Sequence, residues 1–71
     1  MSWIDAQEAA SLWLGEQHLG RILDGQEIDL SEKDFPFTGE FRDMVLEAVR
    51  RKLVKRGARV ITLPPTGGDL T

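Results

Sequence analysis

Apolar positions recur at three- and four-residue spacings from Phe41 to Leu53, taking in Met44, Val45, Leu46, Ala48 and Val49, and this period predicts an amphipathic helix over residues 39–56. Its apolar face is broad, so a sheet or a second helix has to cover it. Thr38 stands where an N-cap hydroxyl would serve, Glu40 puts a carboxylate in the first turn, and Gly57 can take the left-handed conformation that stops a helix. On either side the period changes to two. Gln26 to Leu30 alternates polar and apolar residues, with Ile28 and Leu30 on one face. Ala58 to Leu63 puts Ala58, Val60 and Thr62 on one face and Arg59, Ile61 and Leu63 on the other, until Pro64 and Pro65 end it. The expected order is therefore strand 26–30, helix 39–56, strand 58–63, a β–α–β unit whose connection is right-handed if the strands are parallel. Two strands alone do not make a stable sheet, so a third is expected from residues 20–23 or from another protomer.

Upstream, Asp5-Ala6-Gln7-Glu8 reads as a capping box, and Ile4 is placed to staple against Ala9. Ala9, Leu12, Trp13, Leu19, Ile22 and Leu23 can share one broad face of the helix that follows. Gly15 and Gly20 leave its length open. Either it ends at His18 or Leu19, with Gly20 as cap and Asp24-Gly25 as a hairpin turn, or it runs to Leu23 with Gly25 as cap. Phe35-Pro36-Phe37 sets two aromatics about a residue that refuses a helix. It is read as an extended segment whose rings fold onto the core, because so short a chain can hardly leave two Phe exposed.

Length sharpens this picture. A chain of 71 residues forms one domain and buries only about 60% of the surface that its unfolded form exposes. Without cysteine it has no disulfide or thiolate metal site to staple it, so stability must come from packing or association. Residues 1–65 are assigned to the domain and 66–71 to a flexible C-terminal tail. The first residues carry no secretory signal and no apolar run is long enough to span a membrane, so a cytoplasmic protein is expected. The strand–helix–strand order, with Thr38-Gly39 leading into the helix and Arg56-Gly57-Ala58-Arg59-Val60 leaving it, is loosely similar to the second half of STAS domains. This chain lacks the Asp-Ser pair those domains usually show there, and its helix is longer than theirs. The similarity spans about half the chain and implies the β–α–β order alone.

Charge divides the chain unevenly. Residues 1–49 hold eleven acidic and three basic side chains, whereas residues 50–59 hold six basic ones and no acid. Such a division suits an acidic protein partner, a polyanion, or the acidic half of a second copy. Arg51, Lys52, Lys55 and Arg56 are expected to form a stripe pointing away from the Phe41, Val45 and Val49 face. Together with Arg59 and Trp3, a residue type favoured as an interface anchor, they are the candidate partner-binding residues. Trp13 is read as core. Catalytic chemistry finds little support, since His18 is the sole histidine, cysteine and tyrosine are absent, and the carboxylates are scattered over surface-like positions. The glycines match no phosphate-binding loop, and no cofactor or metal site is expected. The reading is a small α+β domain acting as a non-enzymatic protein-binding regulator, adaptor or inhibitor, working as a homodimer, with nucleic-acid binding through residues 50–59 as the alternative.

Overall fold

The computed structural model describes residues 2–62. They form a helix α1 (Trp3–Glu16), a strand β1 (Glu27–Asp29), a single 3₁₀ turn (Leu30–Glu32), a long helix α2 (Gly39–Lys55) and a strand β2 (Arg59–Ile61). The domain is thus α+β with a β–α–β unit. β1 and β2 pair in parallel with Glu27 opposite Arg59, Ile28 opposite Val60 and Asp29 opposite Ile61. No third strand occurs among the described residues, and residues 20–23 are irregular. The expected end of the second strand at Leu63, its stop at Pro64 and Pro65, and the tail at 66–71 lie outside the described residues.

The first helix starts earlier than its capping box suggested. Ser2 is the N-cap, its hydroxyl accepting from the Asp5 N–H at 3.2 Å, so Asp5 occupies the first turn instead of the cap. Ser2-x-x-Asp5 is itself a cap pattern, and using it winds an extra turn that brings Trp3 beside the core. Ile4 consequently falls inside the helix rather than before it, and stands exposed instead of stapling Ala9.

The buried seam of α1 is Ala6, Ala10, Trp13 and Leu14, which corrects the expected face at Leu12 and Leu23. At 100° per residue Leu12 lies about 160° round the helix from Ala10, so the two cannot both face α2. Leu23 falls beyond the helix altogether. The small side chains of Ala6 and Ala10 let α1 lie close against α2, whose own buried seam is Val45, Ala48, Val49 and Leu53, within the face predicted for it.

Both helices end in the same hydrogen-bonded motif. In α1 the His18 N–H donates to the Gly15 carbonyl and the Leu19 N–H to the Leu14 carbonyl, and in α2 Gly57 donates to Val54 and Ala58 to Leu53. These are the two bonds of a Schellman motif, which needs a left-handed residue at its first donor. Gly57 provides it at φ +91°, whereas α1 uses His18 at φ +59° and leaves Gly20 outside the cap. α2 opens with Gly39 at φ +65°, and Thr38 serves through its carbonyl, which accepts from the Arg42 N–H, and not through its hydroxyl as expected. Asp24-Gly25 forms a turn closed by the Gln26 N–H on the Leu23 carbonyl, but it leads into β1 without making a hairpin.

The aromatic segment behaves as expected. Trp13, Phe35, Phe37 and Phe41 form a chain of edge-to-face contacts with centroids 5.2, 5.0 and 5.8 Å apart, and the Trp13 indole N–H donates to the Asp34 carbonyl at 2.9 Å. The ring system closes the end of the core between α1 and the start of α2.

The contrast between the two helix ends makes a test. His18→Gly removes the left-handed strain on a residue that carries a Cβ and should raise the free energy of unfolding by about 1 kcal/mol. Gly57→Ala should lower it by more than about 1 kcal/mol, because the added methyl also meets the Asp24 side chain. Urea unfolding of the two variants beside the parent protein reads both changes.

Candidate protein-interaction surface

α2 carries a seven-residue echo of its core face beyond the core. Lys52 follows Val45 by seven residues and continues that face half-buried, whereas Arg56, seven residues after Val49, is the C-cap and stands exposed. The expectation that all four basic residues turn away from that face fails at Lys52. Lys52 is half-buried against α1, and the Arg56 guanidinium donates to the Gly20 carbonyl at 2.8 Å, holding the chain that links α1 to β1. Arg56 therefore has a structural task.

Arg51 is also engaged. Its Nε donates to Glu47 Oε2 at 2.7 Å, and Arg50 takes the same carboxylate with two bonds of 2.6 and 3.2 Å. Held there, the Arg51 guanidinium lies 5.3 Å from the Trp3 ring centroid, a cation–π contact joining the start of α1 to the last turns of α2. Glu47 was overlooked in the sequence, although it lies three and four residues before the two arginines, the spacings at which helical ion pairs form. Lys52, Lys55 and Arg59 make no ion pair with the described residues. Arg59 stands on the outward face of β2, apart from the others and opposite Glu27.

Two shallow grooves run along the junction of α1 and α2. One, of about 220 Å³, is lined by Trp3, Gln7, Ala48, Arg51, Lys52 and Lys55. The other, of about 470 Å³, is lined by Ile4, Gln7, Glu8, Ser11, Leu12 and Lys52. They share Gln7 and Lys52 and so form one trough, basic and aromatic at one end and apolar at the other. Ile4 and Leu12 are 67% and 73% exposed on its rim. Of the six residues singled out in the sequence, the fold gathers Trp3, Arg51, Lys52 and Lys55, and assigns Arg56 and Arg59 elsewhere. Leu12 was missed because the sequence places it on the apolar face and Ile4 because it is expected to staple Ala9, and their angular distance from Ala6 and Ala10 is the signal that would have found them.

Among the described residues no polar or charged side chain is buried, no cluster of acidic or histidine side chains could hold a metal ion, and no helix is long and apolar enough to cross a membrane. No protein family model, no curated protein and no solved structure matches this chain.

The shared carboxylate gives a pH signature. Hydrogen bonds from Arg50 and then Arg51 hold the Glu47 carboxyl at about 2, far below the usual 4.5. A carboxylate whose pKa is depressed by folding contributes stability that is complete above its unfolded value and is lost as pH falls through its folded one. The contribution of Glu47 should accordingly be whole above pH 4.5 and vanish toward pH 2. With the side chain 37% exposed, solvent screening limits it to about 1 kcal/mol or less. Urea unfolding over a pH series should show Glu47→Gln below the parent by that amount at pH 6, with the two curves converging near pH 2.

Proposed function

We propose that this chain is a non-enzymatic protein-binding domain, a regulator, adaptor or inhibitor of another protein, that works as a homodimer. The observation that carries this reading is the trough between α1 and α2, where exposed Ile4 and Leu12 meet Trp3 and lysines that no described carboxylate neutralises. Exposed apolar groups beside unneutralised charge are what a protein surface of opposite sign would cover. The basic and aromatic end suits an acidic segment, with Arg51 fixed in place by Glu47 and Trp3 and the flexible Lys52 and Lys55 reaching toward carboxylates. Nucleic acid is the weaker reading, since Arg50 and Arg51 are ion-paired to Glu47 and Arg56 donates to a backbone carbonyl. Among the described residues the one perturbed carboxylate is an exposed ion-pair partner, which lends catalysis no support. The dimer is favoured by a two-stranded sheet and a chain too short for a large core.

The test uses the full chain as bait in a lysate of its source, with and without nuclease, beside Lys52→Glu/Lys55→Glu. Nuclease-resistant capture of a defined protein should fall at least about tenfold in the double variant while circular dichroism stays unchanged, because a rim charge acts on association more than on folding. Capture that disappears with nuclease, or that ignores both substitutions, would overturn the proposal.

A further inference from the structure

We infer that Arg51 is the contact that selects the partner: its guanidinium takes a carboxylate of an acidic peptide segment end-on, while Lys52 and Lys55 take the carboxylates beside it. This rests on the protein-binding reading above and names the chemistry that its basic groove recognises.

The hydrogen bonds of the basic run single out this residue. Arg50 gives Nε and one terminal nitrogen to Glu47, and Arg56 gives a terminal nitrogen to the Gly20 carbonyl, so neither keeps the end of its fork open. Arg51 meets Glu47 through Nε alone, and its two terminal nitrogens make no hydrogen bond with the described residues. Those two nitrogens are the pair that grips a carboxylate with parallel bonds. The fork is also held still. Glu47 fixes it at one edge, and the Trp3 ring lies beneath it with the centroid 5.3 Å away. Immobilising a long side chain ordinarily costs affinity, and here that ordering is complete before the partner arrives.

The surroundings supply the sign. Arg51, Lys52 and Lys55 line the groove with Trp3, Gln7 and Ala48, and no acid stands among them. Arg51 and Lys55 are four residues apart, about 6 Å along the axis of α2. An extended peptide repeats its side chains on one face at about 7 Å, so alternate acidic residues reach both cations. Carboxylates suit this groove better than the phosphates of a nucleic acid. Residues 1–49 hold eleven acids against three bases, and this body repels a polyanion that runs on beyond the groove. A short acidic segment confines its charge to the groove itself.

Fluorescence anisotropy of labelled hexaglutamate, titrated with the full chain at low salt, reads the contact. Hexaglutamate should bind and equally labelled hexaglutamine should not. Arg51→Lys keeps the charge and removes the fork, so affinity should fall at least about tenfold with circular dichroism unchanged. The same exchange in a Glu47→Gln background should cost about threefold or less, because the fork is then no longer held. Equal losses in the two backgrounds would overturn the positioning by Glu47. Binding that is lost in Lys52→Glu/Lys55→Glu but indifferent to Arg51→Lys would leave the acidic partner standing and overturn Arg51 as its selector. An oligothymidylate of equal charge that binds tighter than hexaglutamate at the same salt would give the groove to phosphates and overturn the carboxylate. Hexaglutamate bound no better than hexaglutamine would overturn the whole inference, while the capture experiment above judges the protein-binding reading separately.

Discussion

The junction at Gly57 fastens the two halves of this chain together. Its N–H completes the cap of α2, and its carbonyl accepts from the Gly25 N–H at 2.7 Å, just before the Arg59 N–H reaches the Gln26 carbonyl and the parallel ladder begins. Asp24 lies so close that a side chain at position 57 would collide with it. One residue earlier in the chain, Arg56 ties the same corner to Gly20. Because β1 and β2 are each only three residues long, their register cannot be set by a run of ladder bonds. It is set here, where a left-handed glycine allows the end of α2 to touch the turn before β1.

From that corner the rest of the packing follows. A parallel pair of strands needs cover, and α2 supplies it, its Val45, Val49 and Leu53 lying in one buried cluster with Ile28 and Leu30. α1 then covers α2 through Ala6 and Ala10, whose size lets the helices come near, and Trp13 is buried in the same cluster. The strap of Phe35 and Phe37 closes that end, anchored by the Trp13 indole on the Asp34 carbonyl. With every buried side chain among the described residues apolar, the fold relies on shape and backbone bonds, and the polar chemistry is left at the surface.

That surface chemistry is organised by one carboxylate. Glu47 takes two arginines out of the basic run and fixes one of them over Trp3, so a sequence patch of six cations becomes a structured rim with Lys52 and Lys55 beside an apolar groove. The rim is built on the same helices that carry the core, and the trough is consequently as well positioned as the core itself.

Local physics made part of this legible in the sequence. The three- and four-residue period of α2, its stop at Gly57, the strands flanking it and the aromatic segment all depend on neighbours within a few residues, and each appears near its expected place. The extent of α1 was harder to read, because Ser2 and Asp5 both qualify as caps and the left-handed residue at its end is His18 while glycines stand on either side at 15 and 20. Which apolar residues of α1 face inward was decided by its contact with α2, since Ala6 and Ala10 admit a close approach that Ile4 and Leu12 would prevent. The same holds for the basic run: composition announced it, but only the fold turned Lys52 toward the groove, committed Arg56 to Gly20 and carried Arg59 to the far face of the sheet. Periodicity and caps are properties of a segment, whereas exposure and side-chain partners depend on what packs against it, and that was settled only when the segments met.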